Sequence, residues 1–327
     1  MNERRTRVAV VGVGEFGRNH VRVWRAMEGA DLVGVVDLND DRARHVAAEF
    51  GTRVILSLDA LTAERVEAVS LAVPTKEHAA LGCRLLEAGL DVLVEKPMAA
   101  SLDEADRLIA AAKRAGRILQ VGHVERFNPA VAAAQKIVKR PLFFEVHRLG
   151  VFTPRSLDID VIYDVMIHDL DLLLALVNAP VVDLRAVGIP VITDKVDIAH
   201  ARVEFATGAV ANVTASRVST ERVRKMRFFQ EHEYISLDFA RRDALRIRVE
   251  PGSPVPGIGF EKLPATSEEP LEAELRAFAD SVRSRKPPAV DGAAGRAALE
   301  LADRVMACIQ EHAQRVQLGA FATRENS

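Results

Sequence analysis

The chain has 327 residues, 49% of them hydrophobic and 28% charged, with 44 Lys and Arg against 46 Asp and Glu for a formal net charge of −2. That length suggests two domains, and the composition is that of a globular chain rather than a disordered one. Near-neutral charge argues against a nucleic-acid partner, whose binding rests on phosphate neutralisation, and against a polybasic membrane anchor.

No apolar run approaches the ~18 residues a membrane helix needs. Arg4, Arg5 and Arg7 precede a short apolar run from Val8 to Gly14 that Glu15 and Arg18 interrupt, and no small-residue cleavage site follows. It reads as a strand, not a signal peptide. Cys83 and Cys308 lie far apart in sequence and form no CxxC pair. A reducing, cytoplasmic setting fits them, and neither has a context that suggests chemistry.

Strands and helices then alternate. Val8–Val11 is a strand, Phe16–Met27 a helix, Leu32–Val36 a strand ending at Asp37, and Asp40–Phe50 a polar helix. Ala68–Val73 is a strand stopped by Pro74, and His78–Ala88 a helix stopped by Gly89. Val92–Val94 is a strand, Ser101 opens a helix with Glu104 completing a capping box, and Ile118–Val121 closes the series after Gly116. Such units predict a parallel, doubly wound α/β sheet. Further on, apolar and polar residues alternate over 199–205, 211–216 and 245–250, the rhythm of antiparallel strands packed on one face. Pro251–Pro264 is rich in Gly and Pro and reads as loop, and helices over Leu271–Arg285 and Gly292–Gln314 end the chain. The change of rhythm divides the chain into 1–122 and 123–327.

Four constellations carry chemistry. Gly12-Val13-Gly14-Glu15-Phe16-Gly17 lies between the first strand and the first helix. Glycines there permit a tight turn, backbone approach to a pyrophosphate and close helix–strand contact. Asp37, twenty residues after Gly17, is placed to bind adenosine ribose hydroxyls, which favours NAD over NADP. Val73-Pro74-Thr75, with His78 following, sits at the carboxyl end of a strand, where doubly wound folds bind ligands; Thr75 also suits a helix N-cap. A plain strand–helix turn explains that segment equally well. Glu95-Lys96-Pro97 follows the next strand, where the nicotinamide half should lie. There the Lys96 ammonium can stabilise negative charge on a carbinol oxygen, although composition alone favours a solvent-facing turn lysine.

The fourth is Asp158–Val177, read as one helix with a broad apolar face and a polar stripe of Asp160, Asp164, His168 and Asp171. Residues four apart share a face, so Asp164 can hold the His168 ring and fix its tautomer. A solvated helix face is the plainer alternative, but such faces usually carry Lys, Glu or Arg. No second histidine or cysteine closes a metal set, so no metal is expected.

In this order the motifs resemble the Gfo/Idh/MocA family of sugar and cyclitol dehydrogenases, over essentially the whole chain. The resemblance rests on the glycine motif, Glu95-Lys96-Pro97, Asp164-Val165-Met166-Ile167-His168-Asp169, and the closing stretch Pro270–Phe278 with Pro287, Gly292 and Gly295. It implies a Rossmann domain followed by an α+β domain with a large, open, mostly antiparallel sheet, which commonly joins subunits into a homodimer or homotetramer. It also implies that Lys96 and His168 are the catalytic pair, Asp164 their companion in the substrate pocket, and NAD the cofactor. The cofactor contacts would be Gly12, Gly14, Glu15, Phe16, Gly17, Asp37, Val73, Pro74, Thr75, His78, Glu95 and Lys96. Where many members have a glycine-rich run before the aspartate, this chain has Ile159–Tyr163, a difference that bears on pocket shape.

Gly122–Pro129 and Phe152–Asp158 look like the branch containing bacterial UDP-N-acetylglucosamine 3-dehydrogenases, which act in making amino-sugar lipid A precursors. That resemblance implies a nucleotide-linked amino sugar, with Arg126 and Arg155 clamping its diphosphate. Arg217, Arg222 and Arg224 are weaker candidates, and each of these arginines has a surface role as its alternative. His123 and Asn128 are pocket residues or hydrogen-bonded structural groups. The other readings are a dehydrogenase or reductase of a free aldose or inositol, and a non-catalytic NAD-sensing regulator on the same scaffold.

Overall fold

The computed structural model describes residues 4–153, 158–250 and 257–318. The chain divides into two compact units, Met1–Phe127 with Glu268–Arg296, and Asn128–Ser267 with Ala297–Ser327.

In the first unit, strands β1 (Thr6–Val11), β2 (Ala30–Val36), β3 (Ala68–Leu71), β4 (Asp91–Glu95) and β5 (Leu119–Gly122) form a wholly parallel sheet in the order β2-β1-β3-β4-β5. Their apolar runs are buried, as strands covered on both faces require. The connecting helices are α1 (Glu15–Ala26), α2 (Asp40–Glu49), the single turn α3 (Ala60–Ala63), α4 (Thr75–Glu87) and α5 (Leu102–Ala115). The Ser101 hydroxyl accepts the Glu104 N–H at 3.3 Å, while the Glu104 carboxylate takes the N–H of Ala100 rather than of Ser101.

The domain division differs from the expected 1–122 and 123–327, because a late segment returns to the first unit. Helix α8 (Pro270–Ser284) places Leu275 and Phe278 in one core with Val8, Val10, Val21 and Trp24. The Phe278 and Trp24 rings lie 6.5 Å apart. Past its end the Arg285 guanidinium donates to the Asp91 carboxylate at 2.6 Å and the Gly116 carbonyl at 2.8 Å. Periodicity shows that such a helix has an apolar face, not which core receives it.

The second unit holds helix α6 (Pro129–Gln135), strand β6 (Phe143–Leu149), helix α7 (Ile167–Val177), strands β7 (Val181–Ile189), β8 (Ile198–Phe205), β9 (Val210–Ser216), β10 (Val223–Gln230), β11 (Glu233–Asp238), β12 (Asp243–Glu250) and β13 (Gly257–Lys262), and most of helix α9 (Gly292–Arg315). The eight strands run β13-β12-β11-β10-β6-β9-β8-β7, antiparallel except for the β6–β9 pair. One face packs Phe144, Ala201, Val213, Phe228 and Ile235 against Leu170, Leu173, Ala302 and Val305 of the helices. β13 corrects the reading of Pro251–Pro264 as loop: Ile258 and Phe260 pair with Val249 and Ile247. Its glycines, Gly257 and Gly259, are tolerated because it is an edge strand. Residues 251–256 lie outside the described set.

Candidate functional site

In the first unit the glycine turn, Asp37, the Val73–Pro74 segment and Lys96 follow the ends of β1, β2, β3 and β4. Gly12 turns the chain out of β1 with φ of +84°, and a Cβ there would lie 2.5 Å from the Ala72 carbonyl oxygen. A Cβ on Gly17 would lie 1.8 Å from the Gly12 carbonyl oxygen, so only glycine allows α1 to press against this turn. A Cβ on Gly14 would meet nothing within 4 Å, and Gly14 caps α1 with no side-chain bond. The first turn of α1 thus begins without a side-chain cap, an arrangement suited to a pyrophosphate. Glu15 and Phe16 are exposed there. These features fit a dinucleotide held by backbone, with Asp37 at the end of β2 for the ribose.

Asp37 is tied in on every side. Its carboxylate accepts the Val13 and Asn39 N–H groups, each at 2.8 Å, and the Arg42 guanidinium at 2.7 and 3.1 Å. Burial works against its charge, but Arg42 and the two amides outweigh it and hold the carboxyl below the ordinary aspartate range.

Val73 and Pro74 lie in the β3–α4 loop, and Thr75 opens α4. Pro74, not Thr75, takes the N-cap position, its carbonyl accepting the Glu77 N–H at 2.8 Å, so Thr75 already lies in the helix. His78, expected among the cofactor contacts, turns into the protein interior. It is buried, and its Nδ1 and Nε2 lie 2.9 and 2.8 Å from the Pro97 and Val73 carbonyl oxygens. It thereby sits between the β3–α4 loop and the turn carrying Lys96, its neutral ring able to donate to one of the two carbonyls. Burial pushes its imidazole below the usual histidine value, against the pull of the two carbonyls.

Glu95 also faces inward. Its Oε1 pairs with Nε2 of buried His20 on α1 at 2.9 Å, and its Oε2 accepts the Lys96 N–H at 3.3 Å. A Cβ on Gly122 would come within 2.9 Å of Oε1, so that glycine makes room for the acid. Burial raises the Glu95 pKa, and His20, Lys96 and His78 more than reverse it, keeping the carboxylate ionised. Lys96 itself is half-buried on the turn so formed.

In the second unit the expected single helix over Asp158–Val177 is two pieces. A π turn spans Ile162–Met166, with the Ile167 N–H bonded to the Ile162 carbonyl five residues back, and α7 follows. Asp158–Asp160 precede it in non-helical backbone. Asp164 lies in the wide turn and His168 on the first turn of α7, both half-buried. Inserted π turns recur at functional sites because they re-aim side chains. The turn is braced on either side: the Asp160 carboxylate accepts the Val196 N–H at 2.8 Å, and the Tyr163 hydroxyl donates to Asp303 at 2.8 Å. Burial, then Asp303, raises the Tyr163 pKa, so the phenol stays protonated as a donor. Asp171 is buried, so the polar residues do not form one wet stripe.

Asp169, next to His168, turns inward and takes the Arg148 guanidinium in a bidentate pair at 2.7 and 2.8 Å. Arg148 also covers the Phe239 ring at 4.9 Å. That pair anchors the first turn of α7 one residue from His168.

Among the expected substrate residues, Asn128 has a structural role. Its Oδ1 accepts the Ala130 N–H to cap α6, and its Nδ2 donates to the Phe239 carbonyl at 3.1 Å. His123 is buried just after β5, and Arg126 lies half-buried in a 3-10 turn over Val124–Phe127. Arg155 lies outside the described residues. Arg217 is a strut, donating to the Ile159 carbonyl beside buried Asp197, which itself accepts the N–H groups of Val191, Ile192 and Thr193. Arg222 and Arg224 are exposed. Both cysteines are free, with thiols pushed up by burial. Among the described residues no group of three or more His, Cys, Asp or Glu is placed to hold a metal. Sequence reasoning missed His20, Arg42 and the Arg148–Asp169 pair, whose partners meet only through the fold or, for Arg42, through a side-chain direction that spacing does not reveal.

Residues 6–123 match the profile of an oxidoreductase family with an NAD-binding Rossmann fold, and residues 144–235 match the GFO/IDH/MocA C-terminal domain. The chain is 41% identical over 315 residues to a UDP-N-acetylglucosamine 3-dehydrogenase of Acidithiobacillus ferrooxidans, spanning 94% of this chain and 99% of that protein. A solved structure of that enzyme superposes with a TM-score of 0.88, at 40% identity over 93% of this chain and 98% of the other. A scyllo-inositol 2-dehydrogenase (NAD(+)) of Bacillus subtilis is 30% identical over 66% of this chain and 69% of its own length. Levoglucosan dehydrogenase in complex with NADH and L-sorbose, at 20% identity and a TM-score of 0.84 over 94% and 97% of the two chains, shares the fold.

Proposed function

The chain belongs to the Gfo/Idh/MocA oxidoreductases, and from that premise we propose that it oxidises the C3 hydroxyl of UDP-N-acetylglucosamine. It is an NAD-dependent oxidoreductase acting on CH–OH groups. The observation that carries the finer reading is the 41% identity with a UDP-N-acetylglucosamine 3-dehydrogenase across 99% of that protein's length.

Bound NAD supplies the acceptor for the hydride leaving the carbinol carbon. The protein's own residues bind and orient, and they handle the hydroxyl proton. The amides of the glycine turn take the pyrophosphate, and Asp37 takes the adenosine ribose hydroxyls. The proton of the reacting hydroxyl goes to His168 or to Lys96, with Asp164 as their acidic companion. A positioned acid–base pair of this kind contributes about 10²–10⁴ in rate. His20, Glu95 and His78 fix the turn under Lys96, and Arg148–Asp169 fixes the helix bearing His168. Arg126 and Arg155 answer the substrate's diphosphate, whose charge matches guanidinium forks. The 3-keto product serves a following amination in the making of amino-sugar lipid A precursors.

The protein is read as a cytoplasmic homodimer or homotetramer joined through the outer face of the eight-stranded sheet. On that face Phe143, Phe229, Tyr234, Ile247 and Phe260 are cross-strand neighbours in one row. Among the described residues no helix is long and apolar enough to cross a membrane.

The test follows NADH absorbance with UDP-N-acetylglucosamine, free glucosamine and inositol, beside calorimetric titration of each. NADH formed from the nucleotide sugar alone is the expected result. Turnover of inositol or a free sugar instead overturns the substrate, and silence with NAD still bound favours the sensor reading.

A further inference from the structure

Asp37 has its acceptor positions filled before any coenzyme is considered. A carboxylate offers about four such positions. Oδ1 takes the Asn39 N–H and Nη2 of Arg42; Oδ2 takes the Val13 N–H and Nε of Arg42. The Asp37 side chain is only 4% exposed, whereas that of Arg42 is 49% exposed. Ribose hydroxyls can therefore reach the acid only by replacing a donor already there. Two of the donors are backbone amides in fixed places: Val13 within the glycine turn, and Asn39 at the N-cap of α2, where its side chain accepts the Arg42 N–H at 2.9 Å. Only the guanidinium rides on a long side chain that can swing away.

We propose that Arg42 is a coenzyme-specificity residue: it covers Asp37 in the free protein, gives way to the adenosine ribose, and is the cation a 2′-phosphate meets there. The inference rests on the reading that Asp37 receives the ribose hydroxyls. An unpaired aspartate at this place repels a 2′-phosphate, but an aspartate locked to arginine presents a nearly neutral pair. The neighbouring charges do not duplicate this role. Arg44 is engaged by Asp40 and Asp41 at 3.8 and 3.3 Å, and those two acids themselves oppose a phosphate. The protein therefore prefers NAD and still binds NADP, with Arg42 acting on the two coenzymes in opposite directions.

Calorimetric titration of the full-length protein with NADH and NADPH tests this on wild type, Arg42→Ala, Arg42→Lys and Asp37→Asn. Arg42→Ala should tighten NADH about two- to fivefold, the scale of a partly exposed ion pair that no longer needs displacing. It should weaken NADPH by about tenfold or more, through lost charge-assisted bonds and an uncovered acid. Arg42→Lys, which keeps charge but not the fork, should fall between. Asp37→Asn should weaken NADH. An unchanged NADH-to-NADPH affinity ratio in Arg42→Ala, or equal weakening of both, overturns the inference while leaving the ribose reading intact so long as Asp37→Asn weakens NADH. Unchanged NADH affinity in Asp37→Asn removes the ribose reading itself, and the role of Arg42 with it.

Discussion

Two buried histidines, His20 and His78, flank the Glu95-Lys96-Pro97 turn, each turned into the protein interior. His20 Nε2 engages Glu95 while its Nδ1 is buried without a partner, and both ring nitrogens of His78 face backbone carbonyls. The proposed mechanism assigns proton transfer to Lys96 and His168. Lys96→Met and His168→Ala should each lower kcat by about 10²–10⁴, with NADH affinity in His168→Ala within about twofold of wild type. Steady-state rates beside calorimetry check both, and a near-normal kcat in either variant defeats its assignment. His78 has a pH signature of its own. Its folded pKa is depressed by burial below the ordinary 6.5, so the neutral ring contributes stability that is fully present above 6.5 and lost as the pH falls through the depressed value. Melting temperatures taken from pH 7 to pH 5 should therefore fall less steeply in His78→Gln than in wild type, although the variant is less stable at pH 7. Parallel slopes would show that His78 does not titrate in this way.

At the level of elements, the βαβ half was legible because buried parallel strands are short apolar runs, and Gly12, Ser101 and Gly116 punctuate them with known chemistry. The π turn over Ile162–Met166 was not. One extra residue in a helical ring leaves the apolar spacing almost unchanged, so periodicity ran straight through from Asp158. Strand β13 was hidden for the opposite reason, since its two glycines, in a stretch rich in Gly and Pro, imitate a loop and only pairing with β12 reveals it. The spacing did bring Asp164 and His168 onto consecutive turns, but it said nothing of Asp169, whose burial supplies the brace. Breaking a buried pair by removing one partner costs about 3–5 kcal/mol, because the other charge is left stranded. Asp169→Asn should accordingly destabilise the second unit by at least about 3 kcal/mol in denaturant unfolding and lower kcat through a misdirected His168. The first unit's coenzyme affinity should hold. A loss below about 1 kcal/mol would mean that Arg148 finds other company and that α7 is oriented by packing alone.

At the level of the molecule, the eight-stranded sheet has one face filled by helices and one carrying an aromatic row. The Phe143 and Phe229 rings lie 5.7 Å apart, and Phe229 and Tyr234 5.2 Å apart. The row runs through Ile247 to Phe260, which is 70% exposed, with Ile258 beside it 64% exposed. Single exposed apolar residues mean little, but a contiguous patch across several strands is what an interface between subunits presents. Two charge pairs on the same face, Glu145 with Arg227 and Lys225 with Asp238, are matched within the chain at 3.8 and 3.9 Å, so these four residues add no uncompensated charge to oppose contact. A stable interface of about 1,200 Å² or more needs such a surface. Charges introduced at Ile258 and Phe260 should then split the assembly without unfolding the chain, because both side chains stand largely in solvent. Ile258→Glu with Phe260→Glu should shift the sedimentation coefficient of the wild-type oligomer to that of a smaller species, while the thermal transition persists and NADH still binds. If the wild-type protein already sediments as a monomer, or the double variant keeps its size, the aromatic row is not the subunit contact.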